Sequence, residues 1–307
     1  MMPNKVANYF KLLKEAVSEF SNDNVIKLSA SLAYYTIFSV GPLLLVIISL
    51  TGLFFERERI TGSIYNQLYR FVGKEGADQV LSILSQMQHE NTAAKFSIIG
   101  ITLLVFGATT VFADIQDSIN YIWSIRAKPK KSWLKFLKNR LLSFSLIVGV
   151  GFLLIVSLLV NTLTDLFTER LQQLFIDEAV MFFKILNIVI LFVVTSLLFA
   201  VIYKVLPDAY IRWKDAMVGA TFTAILFLLG RFLIGLYIAS SDIANTYGAA
   251  ASIIIILSWV YYSSIILYFG AEFTKVYAIR LGGGIKPNDT AVFIIKREAK
   301  EMPTPNG

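Results

Sequence analysis

Long apolar stretches alternate with short polar ones along this chain. Six runs are apolar over enough residues to cross a bilayer, at about 28–54, 96–123, 140–161, 182–205, 216–239 and 249–272. A spanning helix needs about 20 mostly apolar residues. None of the runs alternates as a barrel strand would, and backbone groups in lipid must be satisfied within their own segment, so the pattern predicts helices. Residues 1–27 are polar and amphipathic, with Lys5, Lys11, Lys14 and Lys27 set among Glu15, Glu19 and Asp23. The first apolar run is too long and begins too late for a signal-peptide core. Between the first two spans, Ile64, Leu68 and Phe71, then Val80, Ile83, Leu84 and Met87, recur at helical spacing. Leu163, Leu166, Phe167, Leu171 and Leu174 do the same between spans three and four. These loops predict short amphipathic helices lying at an interface. Gly282-Gly283-Gly284 ends the last helix, and Pro303 and Pro305 punctuate a tail expected to be mobile. The expected organisation is an amphipathic N-terminal segment (1–27), a six-helix transmembrane domain (28–278) and a tail (279–307). The fold class is all-α and polytopic.

Composition agrees. The 307 residues are 56% hydrophobic and 16% charged, against about 25% charged in a soluble domain. A net charge of +7 would suggest nucleic acid in a soluble protein. Here its distribution points to lipid. The N-terminus, loops two and four, and the tail carry twenty of the 28 lysines and arginines; loops one and three carry seven. Basic residues gather on the cytoplasmic side, so both termini are expected there, with loops one, three and five outside. The absence of cysteine excludes disulfides, thiolate metal sites and cysteine nucleophiles.

Four segments in order and at characteristic spacing carry a family resemblance. The first is Ala30-Ser31-Leu32-Ala33-Tyr34-Tyr35-Thr36-Ile37-Phe38-Ser39 with Gly41-Pro42. The second runs from Gly107-Ala108-Thr109-Thr110 through Asp114-Ile115-Gln116-Asp117 to Asn120-Tyr121-Ile122-Trp123. The third is Leu206-Pro207-Asp208 with Trp213-Lys214-Asp215, Gly219-Ala220 and Gly230-Arg231. The fourth is Tyr247-Gly248-Ala249-Ala250 through Trp259-Val260-Tyr261-Tyr262 to Phe269-Gly270-Ala271-Glu272-Phe273-Thr274. Over about residues 28–278 the chain resembles the YihY/BrkB family of bacterial inner-membrane proteins. Arg231 stands where lysine is often expected. The resemblance implies a six-helix inner-membrane protein and no settled activity: the family labels "ribonuclease BN" and "virulence factor" state no mechanism.

Ionisable groups within spans are costly, and so are functional candidates. Gly107, Thr110, Asp114, Asp117 and Tyr121 fall on one helical face, with Thr109, Ala113, Gln116 and Asn120 on the adjacent stripe. Tyr261, Ser264, Tyr268 and Glu272 share a face of the last span, and Ser31, Tyr34 and Tyr35 lie in the first two turns of the first. With Trp123 as an interfacial marker, Asp114 lies nine residues, roughly 13 Å, deeper. Two readings stand: a polar cavity open to the cytoplasm, lined by Tyr34, Tyr35, Thr110, Asp114, Gln116, Asp117, Asn120, Tyr261, Ser264 and Glu272, or a solvated helix end. Asp114 and Asp117, one turn apart, are placed to share a cation. Arg231, in the outer half of its span, is read as snorkelling to headgroups, as an anion or lipid-headgroup contact, or as the partner of Asp242. Gly41-Pro42 is expected to break or kink the first span, either as packing or to line a site. Ala220 with Ala224 and Gly248 with Ser252 have the spacing of close helix contacts.

His89 is the only histidine, and no HExxH, P-loop or nucleophile elbow occurs. The basic stretch 126–140 has no acid to do chemistry. No cofactor, metal, catalytic residue or nucleic-acid partner is expected. The partners expected are membrane lipids, an amphiphilic or lipid substrate, and a second copy of the chain in a homo-oligomer. The leading hypothesis is a transporter or flippase-like protein for a lipid or amphiphilic anion. Its rival is a non-transporting envelope scaffold, and a membrane enzyme ranks below both. A cavity continuous with lipid favours the first; a solidly packed centre favours the second.

Overall fold

A computed structural model describes residues 5–54, 107, 110–128, 177–240 and 251–296. Among these, the helices are α1 (Lys5–Asn22), α2 (Val25–Phe54), α3 (110–122), α4 (Asp177–Val205), α5 (Trp213–Ser240) and α6 (Ala251–Arg280). Ile188–Val205, Trp213–Gly230 and Ile253–Arg280 are long and apolar enough to cross a membrane. They coincide with predicted spans four, five and six. The third span, most of the second, and the amphipathic loop helices lie outside the described residues.

Local chemistry sets the boundaries. Asn24, at φ 51°, closes α1 in the left-handed region, where asparagine is tolerated, while its carbonyl accepts Lys27 N at 2.9 Å to open α2. Pro207 stops α4, because the residue before a proline is pushed out of helical geometry. Asp215 sits in the first turn of α5, where a carboxylate meets the helix dipole favourably. At the end of α6, Gly282 N and Gly284 N return to the carbonyls of Tyr277 and Ala278 at 3.0 and 2.8 Å. Gly284 makes that turn at φ +75°. Contrary to the expected break, α2 is assigned as helix straight through Gly41-Pro42.

Helix α6 is the hub, packing against α1, α2 and α5, while α4 packs on α5. Small residues bring these backbones close. A Cβ on Gly219 would fall 1.8 Å from Thr274 Oγ1, and one on Gly270 would fall 1.9 Å from Thr223 Oγ1 and 2.3 Å from the Tyr203 hydroxyl. Ala216, Ala220 and Ala224 form a fully buried stripe on α5, the predicted contact. Phe222 and Phe273 stack with centroids 4.0 Å apart, and Phe269 bridges them to Phe20 of α1 at 5.5 Å.

Four short strands appear that an all-α reading does not contain. Strand β1 (Ile125–Ala127) pairs antiparallel with β4 (Ala291–Phe293), Arg126 opposite Val292, and β2 (Ala209–Tyr210) pairs antiparallel with β3 (Lys286–Pro287). Residues 281–296, assigned from sequence to a mobile tail, therefore form a folded strap across the ends of α3, α4 and α5. The strap gathers at the end of the helices where α1 lies against the last turns of α6.

Candidate functional site

Among the described residues, two polar clusters lie on α6 and a third ties α3 to the strap, and they separate residues that the sequence reading grouped together. The first joins α2, α3 and α6. Ser31 Oγ donates to Asp114 Oδ1 at 3.0 Å, and the Tyr268 hydroxyl stands beside Asp114 and Ser118. Predicted spans one, two and six thus do meet around Asp114. The Asp114 carboxylate and the Tyr268 hydroxyl are buried side by side, with Ser118 within reach of the hydroxyl. A carboxylate and a hydroxyl buried between packed helices are costly unless they partner one another, a ligand or water. Asp117 shares the field of Asp114 and faces outward from α3, as does Thr110.

The second cluster is Glu272. The structure corrects its placement: Glu272 turns away from the Asp114 cluster toward α1. There Glu19, Asp23 and Glu272 each bring a carboxylate oxygen within 4.8 Å of the others. Lys275 Nζ sits among them, 2.7 Å from Glu19, 3.1 Å from Glu272 and 3.6 Å from Asp23. Such a trio would suit a cation, and the Lys275 ammonium takes that place. Lys296 of the strap pairs with Asp23 and lies 4.6 Å over the Tyr121 ring. Arg280 closes the line, 2.8 Å from Glu15. The acids of the N-terminal segment are thus partners of the last span. The spacing of Glu15, Glu19 and Asp23 at i, i+4, i+8 was the available signal.

The third cluster is a clasp. Asn120 Nδ2 donates to Asp208 Oδ2 at 3.0 Å, while Asp208 N donates to Asn120 Oδ1 at 2.8 Å. Asn288 Nδ2 and N reach Asp208 Oδ1 and O at 3.3 and 3.0 Å. Asn120, expected in a cavity, instead ties the Leu206-Pro207-Asp208 turn to α3 and to the strap. Nearby, Gly283 N donates to Asp215 Oδ2 at 2.8 Å, and a Cβ on Gly283 would lie 2.1 Å from Arg212 Nε. Glycines read as a helix end are also needed for this close approach.

The remaining candidates scatter. Tyr34 and Tyr35 are exposed and pack on each other, with Phe38 against Tyr34. Gln116 is buried, Tyr261 is half-buried, and Ser264 is turned back onto the Val260 carbonyl at 2.7 Å. Trp123, two residues before β1, is 2% exposed, and its indole donates to the Ala271 carbonyl at 3.0 Å. Arg231 is on the helical backbone of α5, and its side chain, like Asp242, lies outside the described residues.

Comparison with known proteins follows this geometry. The family model described as "Virulence factor BrkB" matches residues 16–292, which takes in β1, β2, β3 and all but the last residue of β4. A "UPF0761 membrane protein" of Tolumonas auensis is 28% identical over 266 residues, covering 82% of this chain and 80% of its own. One from Psychromonas ingrahamii is 30% identical over 258 residues, covering 82% of each. One from Vibrio vulnificus is 25% identical over 282 residues, covering 91% of this chain and 86% of its own. No solved structure matches.

Proposed function

We propose that this chain, a member of the BrkB family of membrane proteins, is a transporter or flippase-like protein for a lipid or amphiphilic anion. In this reading it resides in the bacterial cytoplasmic membrane with both termini in the cytoplasm, and it is not an enzyme. The observation that carries the reading is the Asp114 cluster. A carboxylate held by Ser31 beside the Tyr268 hydroxyl, buried between three helices, is costly within a span and so a functional candidate. Asp117, one turn on, extends the acidic face outward. Two acids repel an anion, so their role is the coupling proton or cation; the basic contact for an anionic substrate is Arg231. The clasped ends around Asp208 and Lys275 form the rigid frame.

The test is translocation of a fluorescent phospholipid by purified protein in liposomes, beside thermal unfolding in detergent. Asp117→Asn should abolish translocation and Asp114→Asn should abolish it or move its pH dependence, with both variants folded. Full activity in the double variant, or no translocation by the native protein, overturns the reading.

One observation favours the scaffold alternative. Gly219 against Thr274, and Gly270 against Thr223 and Tyr203, bring α4, α5 and α6 into close contact at these points. A scaffold would show no translocation in this assay, native or variant, while losing thermal stability when that packing is disturbed.

A further inference from the structure

Helix α1 carries more apolar surface than α6 covers. Leu12 and Ala16 are buried against Phe273 and Val276. Glu15 and Glu19, beside them on the wheel, reach Arg280 and Lys275. At 100° per residue the apolar arc continues past this contact through Tyr9, Leu13, Val17 and Phe10. Those four side chains are 50%, 37%, 53% and 70% exposed. Lys14 follows at the edge of the arc, then Ser18 and Lys11, all exposed. A soluble helix does not leave its largest apolar residues outward beside lysines; a helix lying in a membrane surface does.

The chain fixes where α1 sits. Only Asp23 and Asn24 separate it from α2, and the left-handed Asn24 makes a corner rather than a continuation. The ion pairs Glu15–Arg280 and Glu19–Lys275 hold the other side of α1 to the last turns of α6, a helix long and apolar enough to cross a membrane. An element pinned at the ends of two long apolar helices lies at the depth of the headgroups.

We propose that α1 is an interfacial helix of this protein's own membrane: Phe10, Leu13 and Val17 enter the acyl boundary, and Lys11 and Lys14 contact anionic headgroups. The occupant follows from the apolar arc with its lysine edge, which matches an anionic lipid surface, and from the continuity with α2. The proposal holds whether or not the protein transports anything.

The chain has no cysteine, so single spin labels are introduced without background. Labels at Phe10→Cys, Leu13→Cys, Val17→Cys, Lys11→Cys and Ser18→Cys are read in full-length protein in vesicles of phosphatidylcholine with and without one quarter phosphatidylglycerol. Leu12→Cys serves as the shielded control. At 10, 13 and 17, collisions with oxygen should exceed those with a water-soluble nickel chelate; at 11 and 18 the order should reverse. Phosphatidylglycerol should deepen the label at 10, and Lys11→Gln with Lys14→Gln should remove that dependence. Equal water access at all five sites overturns the proposal. So does shielding from both reagents at 10 and 17, which would mean that protein covers the face. A depth indifferent to lipid charge overturns the headgroup assignment.

Discussion

Two residues on α6 illustrate which forces dominate. Alanine at Gly270 would gain about 1 kcal/mol of helix propensity. Its Cβ, however, would stand 2.3 Å from the Tyr203 hydroxyl, which bonds the Leu267 carbonyl at 2.8 Å and Thr223 Oγ1 at 3.0 Å. Overpacking costs about 1–3 kcal/mol, and the broken network adds to it, so Gly270→Ala should lower the melting temperature in detergent. Adding Thr223→Ala should recover part of the loss. Lys275 is a second case. It is nearly buried and faces three carboxylates, one of which, on Glu272, is fully buried. Lys275→Ala leaves the buried Glu272 without its cation, while Asp23 keeps Lys296, an effect of about 3–5 kcal/mol, whereas Lys275→Ala with Glu272→Ala should be milder than the single change. A double variant no more stable than Lys275→Ala would mean that the cluster is not coupled as drawn. The polar identities of these residues were legible in the sequence; their partners were not. Glu272 lies on the Tyr268 face by spacing, but the rotamer that decides between Asp114 and Lys275 is set by α1, some 250 positions away.

At the scale of elements, apolar runs reported the helices because a lipid-facing helix is apolar all round and its length is fixed by the bilayer. Spans four, five and six were found for that reason. The strap was missed for an equally physical one. Strands of two or three residues show no periodicity, and Asn288, Thr290 and Gly283 look like a polar tail until the backbone brings Asp208 and Asp215 beside them. The strap's importance is testable. Asp208→Ala removes the side-chain acceptor of Asn120 and Asn288, leaving the buried Asn120 donor unmet at about 1–3 kcal/mol. We expect faster amide exchange and proteolysis across 281–296, with α5 and α6 protected as before. Unchanged exchange in the strap would show that the pairings of β1 with β4 and β2 with β3 hold it without the clasp.

For the whole molecule, the strand pairings constrain the path of the chain. Strand β4 follows α6 and lies against β1, which follows α3; β3 lies against β2, between α4 and α5. Paired strands are at one end of the helices, so any two of them are joined by an even number of membrane crossings. From β2 to β3 the chain passes α5 and α6, which satisfies the rule. From β1 to β2 it passes α4, so the expected six-span arrangement calls for one further crossing before α4, and the apolar run 140–161 is long enough by sequence to be it. The charge distribution predicts the same arrangement, with α1, the two even loops and the strap on one side. Single cysteines test it: a label at Ser132 should react from the side that also reaches Asp289, while labels at Thr164 and Asp242 should react from the opposite side. Thr164 reacting from the side of Ser132 would remove the third crossing, and then β1 and β2 could not lie at the same end of the bundle.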